Sequence, residues 1–327
     1  MSSHLKLFNP DELRNRAPAF TTERRAFVAD YEYDDTITLA VNVALAANRP
    51  LLLRGDAGSG KSTLAEDVAR LLHRRYYEQV VSSTVEAADL LWRIDHISRI
   101  ADAQAGKRTA RRQPNNYLQP GILFWAYAPA QARSFAARDP DLRTWKLASP
   151  HTTPAVVLLD ELDKAEPDFP NDLLVPLGSL SFHVPALNCL VQAPPEMRPL
   201  VIVTTNEERD LPPAFLRRCV VLRLTTPGND DPGRARLTKI AGRHFNDKQL
   251  DQVTLDAVMK RYFELRDAAA MARVRPPGTA EFLDTLRAVV ELRGTGAEDF
   301  VRENAWVFRE VTQAALWKPR QLPPRPA

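Results

Sequence analysis

Cysteine is nearly absent from this chain: Cys189 and Cys219 are the only two in 327 residues. Two thiols cannot build a disulfide framework, and their spacing matches no metal-ligand pattern, so a reducing compartment, the cytoplasm, is the expectation. Both read as small buried residues. No stretch approaches the roughly 18 consecutive apolar residues of a membrane-spanning helix, and Met1 to Pro10 lack the apolar region of a secretory signal. Export by that route and membrane insertion are therefore not expected. A strong charge of one sign is missing too. Against 44 Lys+Arg stand 41 Asp+Glu, and a net +3 does not argue for a nucleic-acid binder. What remains is 44% hydrophobic and 26% charged, ordinary for a globular chain long enough to form two cores.

The most informative stretch is Leu51 to Thr63, an apolar run that breaks into glycines and ends at a lysine and two hydroxyls. Gly55, Asp56, Ala57, Gly58, Ser59, Gly60, Lys61 and Ser62 match G-x-x-x-x-G-K-[ST], followed by Thr63. Glycines at 55, 58 and 60 let the backbone turn tightly and aim N–H groups at an anion. The helix expected from Lys61 adds its unpaired N–H groups and the positive end of its dipole. Lys61 then suits the β- and γ-phosphates of a nucleoside triphosphate, and the Ser62 hydroxyl suits Mg²⁺.

A second motif supplies the acids that such a loop needs. Ala155 to Leu159 is a continuous apolar run, as in a strand buried on both faces of a parallel sheet, and it ends in Asp160 and Glu161. Asp160 fits a Mg²⁺ ligand, and Glu161 a base that orients or deprotonates an attacking water. Pro199 to Thr205 is another buried strand, closing on Asn206. Parallel strands present their carboxyl ends to one crevice, so Asn206 is placed beside Asp160, either to hold water or γ-phosphate or to cap the next turn. Beyond it, Leu211 to Cys219 reads as a short helix carrying Arg217 and Arg218, two guanidiniums that need an anionic partner if buried.

Along the rest of the chain, residues 1–30 read as a charged, partly helical lead-in. A helix follows from about Ile37 to Asn48, and Tyr33 before it either stacks on an adenine or packs at the helix start. Tyr76 to Ser82 reads as a strand. The alternation over Asp95 to Ile100 and the apolar run Tyr117 to Leu123 suggest a hairpin insert near 93–124. Its tip carries Lys107, Arg108, Arg111 and Arg112, a solvated loop or a grip on an acidic segment or nucleic acid. Residues 122–138 and 163–177 read as helices, and 180–195 as a second hairpin. From about Pro227 no further buried strand is expected. Helices over 237–245, 250–272, 280–292 and 300–316 form a helical lid, and a proline-rich tail spans 317–327. The fold class is thus α/β, a phosphate-loop parallel sheet with flanking helices over 31–227, plus a helical lid domain over 228–316.

The order of these pieces, over about residues 30 to 290, resembles the AAA+ superfamily and within it the MoxR-like ATPases. The resemblance implies ATP with Mg²⁺ as ligands, Asn206 as sensor 1, and Arg218, less so Arg217, as the finger offered to the next subunit of a ring, a hexamer in this family. The two hairpin inserts resemble those that face the central pore. The stretch Arg273 to Leu283 resembles the segment carrying sensor 2. Ala280 stands where relatives can carry arginine, and Arg275 is the substitute. MoxR-like ATPases remodel or mature other proteins with von Willebrand A-domain partners. Two further classes stand beside that one: a nucleotide-driven module of a nucleic-acid-directed defence or restriction complex, and a nucleotide-gated scaffold with little turnover.

Overall fold

The computed structural model describes residues 7–16, 31–106, 114–135, 153–246, 250–293, 310 and 312. The chain divides into two compact units: Met1–Thr21, Tyr33–Gly55 and Lys61–Arg223 form one, and Thr22–Glu32, Asp56–Gly60 and Leu224–Ala327 the other. The tip of the glycine loop thus groups with the C-terminal helices.

In the first unit, α1 (Pro10–Arg16) and α2 (Asp35–Ala47) precede β1 (Leu51–Arg54). The Asp34 carboxylate starts α2 by accepting from the Ile37 N–H at 2.8 Å, and Asn48 ends it in the left-handed region at φ 50°. Each is a residue type suited to that position. Next come α3 (Lys61–Leu71), β2 (Arg75–Val80), α4 (Ala87–Leu91), β3 (Trp92–Ile94), α5 (His96–Gln104), β4 (Leu118–Pro120), α6 (Ile122–Tyr127) and α7 (Pro129–Arg133). The unit continues through β5 (Ala155–Asp160), α8 (Phe169–Asp172), α9 (Leu174–Ser179), β6 (Ser181–Val184), β7 (Cys189–Gln192), β8 (Leu200–Thr205), α10 (Pro213–Leu216) and β9 (Val220–Arg223).

Five strands form one sheet in the order β2-β5-β8-β1-β9, every neighbouring pair parallel. Leu51, Leu52, Leu53, Val156, Val157, Leu158, Leu159, Ile202 and Val203 are fully buried. A strand whose two faces are both covered has no polar side to alternate with, which is why these runs read as continuous apolar sequence. Their carboxyl ends, at Arg54, Asp160 and Thr205, share one edge.

Three local expectations need correction. The alternating stretch 95–100 is helix α5, because Asp95 accepts from the Ser98 N–H at 2.9 Å and so supplies an N-cap. The antiparallel pair is instead β3 with β4. The helix expected over 163–177 is a 3₁₀ turn at Leu162–Lys164 followed by the short α8 and α9, since Pro167, Pro170 and Pro176 interrupt any continuous i to i−4 ladder. Likewise 122–138 breaks into α6 and α7 at Pro129. The 180–195 hairpin is present as β6 paired with β7. The basic tip at 107, 108, 111 and 112, the helix over 300–316 apart from Glu310 and Thr312, the tail 317–327 and most of the lead-in lie outside the described residues.

The second unit holds α11 (Asp231–His244), α12 (Gln252–Met271) and α13 (Thr279–Arg293). They close on Leu237, Val258, Tyr262, Phe282, Leu286 and Val289. The Tyr262 ring lies 5.2 Å from both Phe263 and Phe282. Among the described residues no helix is long and apolar enough to cross a membrane.

Arg75, at the start of β2, has no exposed surface. Its guanidinium donates to Thr153 O at 2.9 Å, Tyr77 Oη at 2.8 Å, Trp125 O at 2.7 Å and Ala126 O at 3.2 Å. The last two carbonyls belong to the final turn of α6, where a cation also meets the negative end of the helix dipole. Arg75→Met strands these buried acceptors and is expected to destabilise the protein by about 2–3 kcal/mol in urea unfolding. An unchanged midpoint would show that water replaces the guanidinium.

Candidate functional site

Where β1 ends, the backbone turns through Gly55 at φ 140° and re-enters helix at Lys61. Lys61 is 6% exposed, and its ammonium donates to Gly55 O at 2.7 Å and to Asn206 Oδ1 at 2.9 Å. One residue on, Ser62 Oγ donates to the Asp160 carboxylate at 2.9 and 3.1 Å. Thr204, fully buried on β8, donates its hydroxyl to the same carboxylate and accepts the Glu161 N–H at 2.9 Å. Asp160 thereby ties α3, β5 and β8 together. Thr63 faces solvent.

Glu161 follows in the left-handed region at φ 61°, which costs a non-glycine residue about 1 kcal/mol. That turn sends its carboxylate to Asn206 Nδ2 at 3.3 Å and to Lys164 Nζ at 2.7 Å. The hydrogen bond that Lys164 donates to Glu161 raises the Lys164 pKa, with Coulombic attraction adding to it, so Lys164 stays cationic and holds its partner. A continuous chain results: Lys61, Asn206, Glu161, Lys164.

Asn206 is positioned by Asp163, which is 3% exposed. Its Oδ2 accepts the N–H groups of Asn206 at 3.1 Å and Glu208 at 3.0 Å. Glu207 between them sits at φ 61° and pairs with Arg54 at 2.6 Å and Arg223 at 2.7 Å. Sequence reasoning missed Asp163, Thr204 and Lys164. An acid two residues past Asp160-Glu161 and a threonine near a strand end were the available signals, and both are commonplace.

In the second unit the loop tip Asp56–Gly60 carries Gly58 at φ 80° and Gly60 at φ 90°. Asp56 is exposed, and its carbonyl accepts the Ser59 N–H at 3.3 Å. Ser59 Oγ is buried with no partner, which leaves a hydroxyl to offer. Arg275 donates to Ala57 O at 2.8 Å and pairs with Glu281 at 3.0 Å. The Ala280 N–H donates to Gly58 O at 3.1 Å. No sequence signal marked Glu281.

Of the two readings open for Tyr33, the geometry favours packing at the helix start over stacking on a base. Its ring packs against Phe8 at 5.3 Å and under the Arg14 guanidinium at 5.6 Å, and its hydroxyl faces Asp67. A ring so engaged does not stack on a base. Tyr31, two residues earlier, is the tyrosine against the loop: a Cβ on Gly60 would lie 3.2 Å from its ring.

Arg217 and Arg218 stand elsewhere. The Val220 N–H bonds Pro50 O, and Val220 is in register with Leu51, so both arginines lie at the amino ends of β1 and β9, the edge opposite Lys61. Arg218 donates to Leu174 O at 2.6 Å and lines a cavity of about 540 Å³ with Arg49, Phe215 and Cys219. Arg49 donates to the carbonyls of Arg217 and Arg218. The structure does not bring these arginines to the Lys61–Glu161 cluster of their own chain.

Ser62 and Asp160 offer a hydroxyl and a carboxylate within 2.9 Å of each other, hard oxygen donors that suit Mg²⁺. Among the described residues there is no group of three or more His, Cys, Asp or Glu able to hold a metal. The site therefore fits an ion completed by water and phosphate oxygens rather than an all-protein cage.

The AAA domain (dynein-related subfamily) family model matches residues 50–219, just over half of the chain. No curated protein matches the sequence. A solved structure of a proline-to-glycine mutant of RuvB from Thermotoga maritima is similar over 85% of this chain and 76% of that one, at 14% identity and a TM-score of 0.41.

Two outcomes test this geometry. Asp163→Ala removes the acceptor for two turn amides, and hydrogen exchange at Asn206 and Glu208 is expected to speed up about tenfold. Burial pushes the Cys219 thiol up to about 12, with Arg49 opposing weakly. A thiol raised this far stays neutral at pH 8, so iodoacetamide is expected to label the half-buried Cys189 and spare Cys219. Equal labelling would contradict the packing around Phe215.

Proposed function

This chain belongs to the AAA domain family of the dynein-related subfamily, and from that membership we propose that it hydrolyses ATP and couples turnover to the remodelling of a partner protein. The observation that carries the reading is the chain of hydrogen bonds from Lys61 through Asn206 to Glu161, beside the Ser62–Asp160 pair at the carboxyl ends of β1, β5 and β8. Lys61, already desolvated, presents positive charge where the triphosphate's terminal oxygens are expected. Glu161 accepts the proton of, or orients, the attacking water, and Asn206 holds that carboxylate and the Lys61 ammonium in one frame. Ser62 and Asp160 would hold Mg²⁺, which would supply neutralisation of phosphate charge. Gly55 to Gly60 lend backbone N–H groups to the phosphates, and Arg275 belongs to the same binding apparatus.

Arg218, at the edge opposite Lys61, acts in this reading on a second copy of the chain. Hydrolysis then requires assembly, and a ring, a hexamer by the MoxR-like resemblance, is the arrangement proposed, with a von Willebrand A-domain protein as the kind of partner served.

Lys61→Ala is expected to abolish nucleotide binding and turnover. Glu161→Gln is expected to keep binding and lose about 10²–10⁴ in kcat. Arg218→Ala alone is expected to be nearly inactive and to regain activity when mixed with Glu161→Gln, read as phosphate release alongside the mass of the assembly. Full activity of Arg218→Ala by itself would reject the assignment in trans. A parent protein that retains no nucleotide at millimolar ATP would end the reading as a whole.

A further inference from the structure

The loop tip is gripped from its outer side by the start of α13, within the second unit. Arg275 Nη2 donates to Ala57 O at 2.8 Å, and the Ala280 N–H donates to Gly58 O at 3.1 Å. Behind them stands Glu281, 8% exposed, whose Oε1 accepts from Arg275 at 3.0 Å and whose Oε2 accepts the Gly278 N–H at 3.0 Å. The fit is close. A Cβ on Gly58 would lie 2.8 Å from Glu281 Oε2, and one on Gly278 would lie 3.0 Å from Ala57 O.

In a trans peptide the C=O and the following N–H point in opposite directions. Drawing the Ala57 carbonyl toward α13 therefore turns the Gly58 N–H away from it, the disposition that an anion-binding nest requires, while the Ser59 N–H, turned the same way, reaches Asp56 O at 3.3 Å. Glycine at φ 80° has no preference strong enough to hold that orientation by itself, so the donors on α13 do the holding.

Resting on the nucleotide reading above, we infer that Arg275 and Glu281 are positioning residues for the phosphate loop. Arg275 acts on the nucleotide through the Ala57 carbonyl, and Glu281 holds Arg275 and the helix start in place. A guanidinium that touched the γ-phosphate would favour the triphosphate alone. One that shapes the loop tip acts on phosphates common to ADP and ATP, and both nucleotides respond together.

The test is titration of the full-length protein with fluorescent N-methylanthraniloyl analogues of ADP and ATP, comparing the parent with Glu281→Gln, Arg275→Met, Arg275→Lys and Gly278→Ala. Expected is a rise of about tenfold in Kd for both nucleotides in the Gln, Met and Ala variants, as for loss of a charge-assisted hydrogen bond. Arg275→Lys, which keeps a donor, is expected to recover part of the affinity. In turnover assays KM is expected to rise by more than kcat falls. Thermal melts report folding, and the near-isosteric Glu281→Gln keeps the comparison valid if Gly278→Ala fails to fold. Weakened ATP with unchanged ADP overturns the inference and makes Arg275 a γ-phosphate contact; unchanged affinity for both overturns it outright. A parent that binds neither nucleotide overturns the nucleotide reading itself, a failure visible before any variant is made.

Discussion

The Asp160 carboxylate and the two hydroxyls that meet it, Ser62 and Thr204, are the interaction on which the site depends. These residues are far apart in sequence and come together because β5 pairs with β8, β8 pairs with β1, and α3 follows β1 directly. A carboxylate at the end of a buried strand has lost water on several sides and needs donors. Hydroxyls supply them without adding charge. With Asp160 anchored, the Thr204 oxygen also receives the Glu161 N–H, and the chain leaves β5 in the left-handed turn that sends Glu161 toward Asn206. Thr204 is thus the hydroxyl that touches both acids, and Ser62 the one that ties Asp160 to α3.

Charge is arranged so that each ionic group keeps a distinct task. Lys61 donates to Gly55 O and Asn206 Oδ1, both neutral acceptors, and these bonds orient a buried ammonium. Glu161 is paired on its outer side with Lys164, carried on the 3₁₀ turn that follows it. Glu207 joins Arg54 to Arg223 across the ends of β1 and β9, so the turn after β8 is fastened both by that carboxylate and by Asp163. Glu161 and Glu207, both at φ 61°, flank Asn206, whose side chain bonds both Lys61 and Glu161. Backbone strain of this sort persists where surrounding bonds over-determine it.

Much of the site was legible because its chemistry is written in contiguous sequence. Glycines at fixed spacing before Lys61-Ser62, and Asp160-Glu161 closing an apolar run, mark candidate residues that the structure then brings together. Asp163, Thr204 and Glu281 were not legible, since each acts through a partner remote in sequence and belongs to a residue type common on any surface. Tyr33 was open to two readings, and only tertiary contacts separate them: Phe8, Arg14 and Asp67 occupy its ring and hydroxyl.

The sequence by itself determined which segments become central strands, because a strand buried on both faces admits only apolar residues and 51–53, 155–159 and 200–203 obey that rule. It also determined where the helices of 163–177 break, because Pro167, Pro170 and Pro176 lack the N–H that a continuous ladder needs. Tertiary structure decided the rest: the strand order, the conversion of 95–100 from apparent strand to helix, and the edge on which Arg218 stands. Alternation over six residues fits either a strand or a capped helix when no face is buried, and α5 buries none. Pairing partners are chosen by contacts between distant segments, a quantity that no local pattern contains.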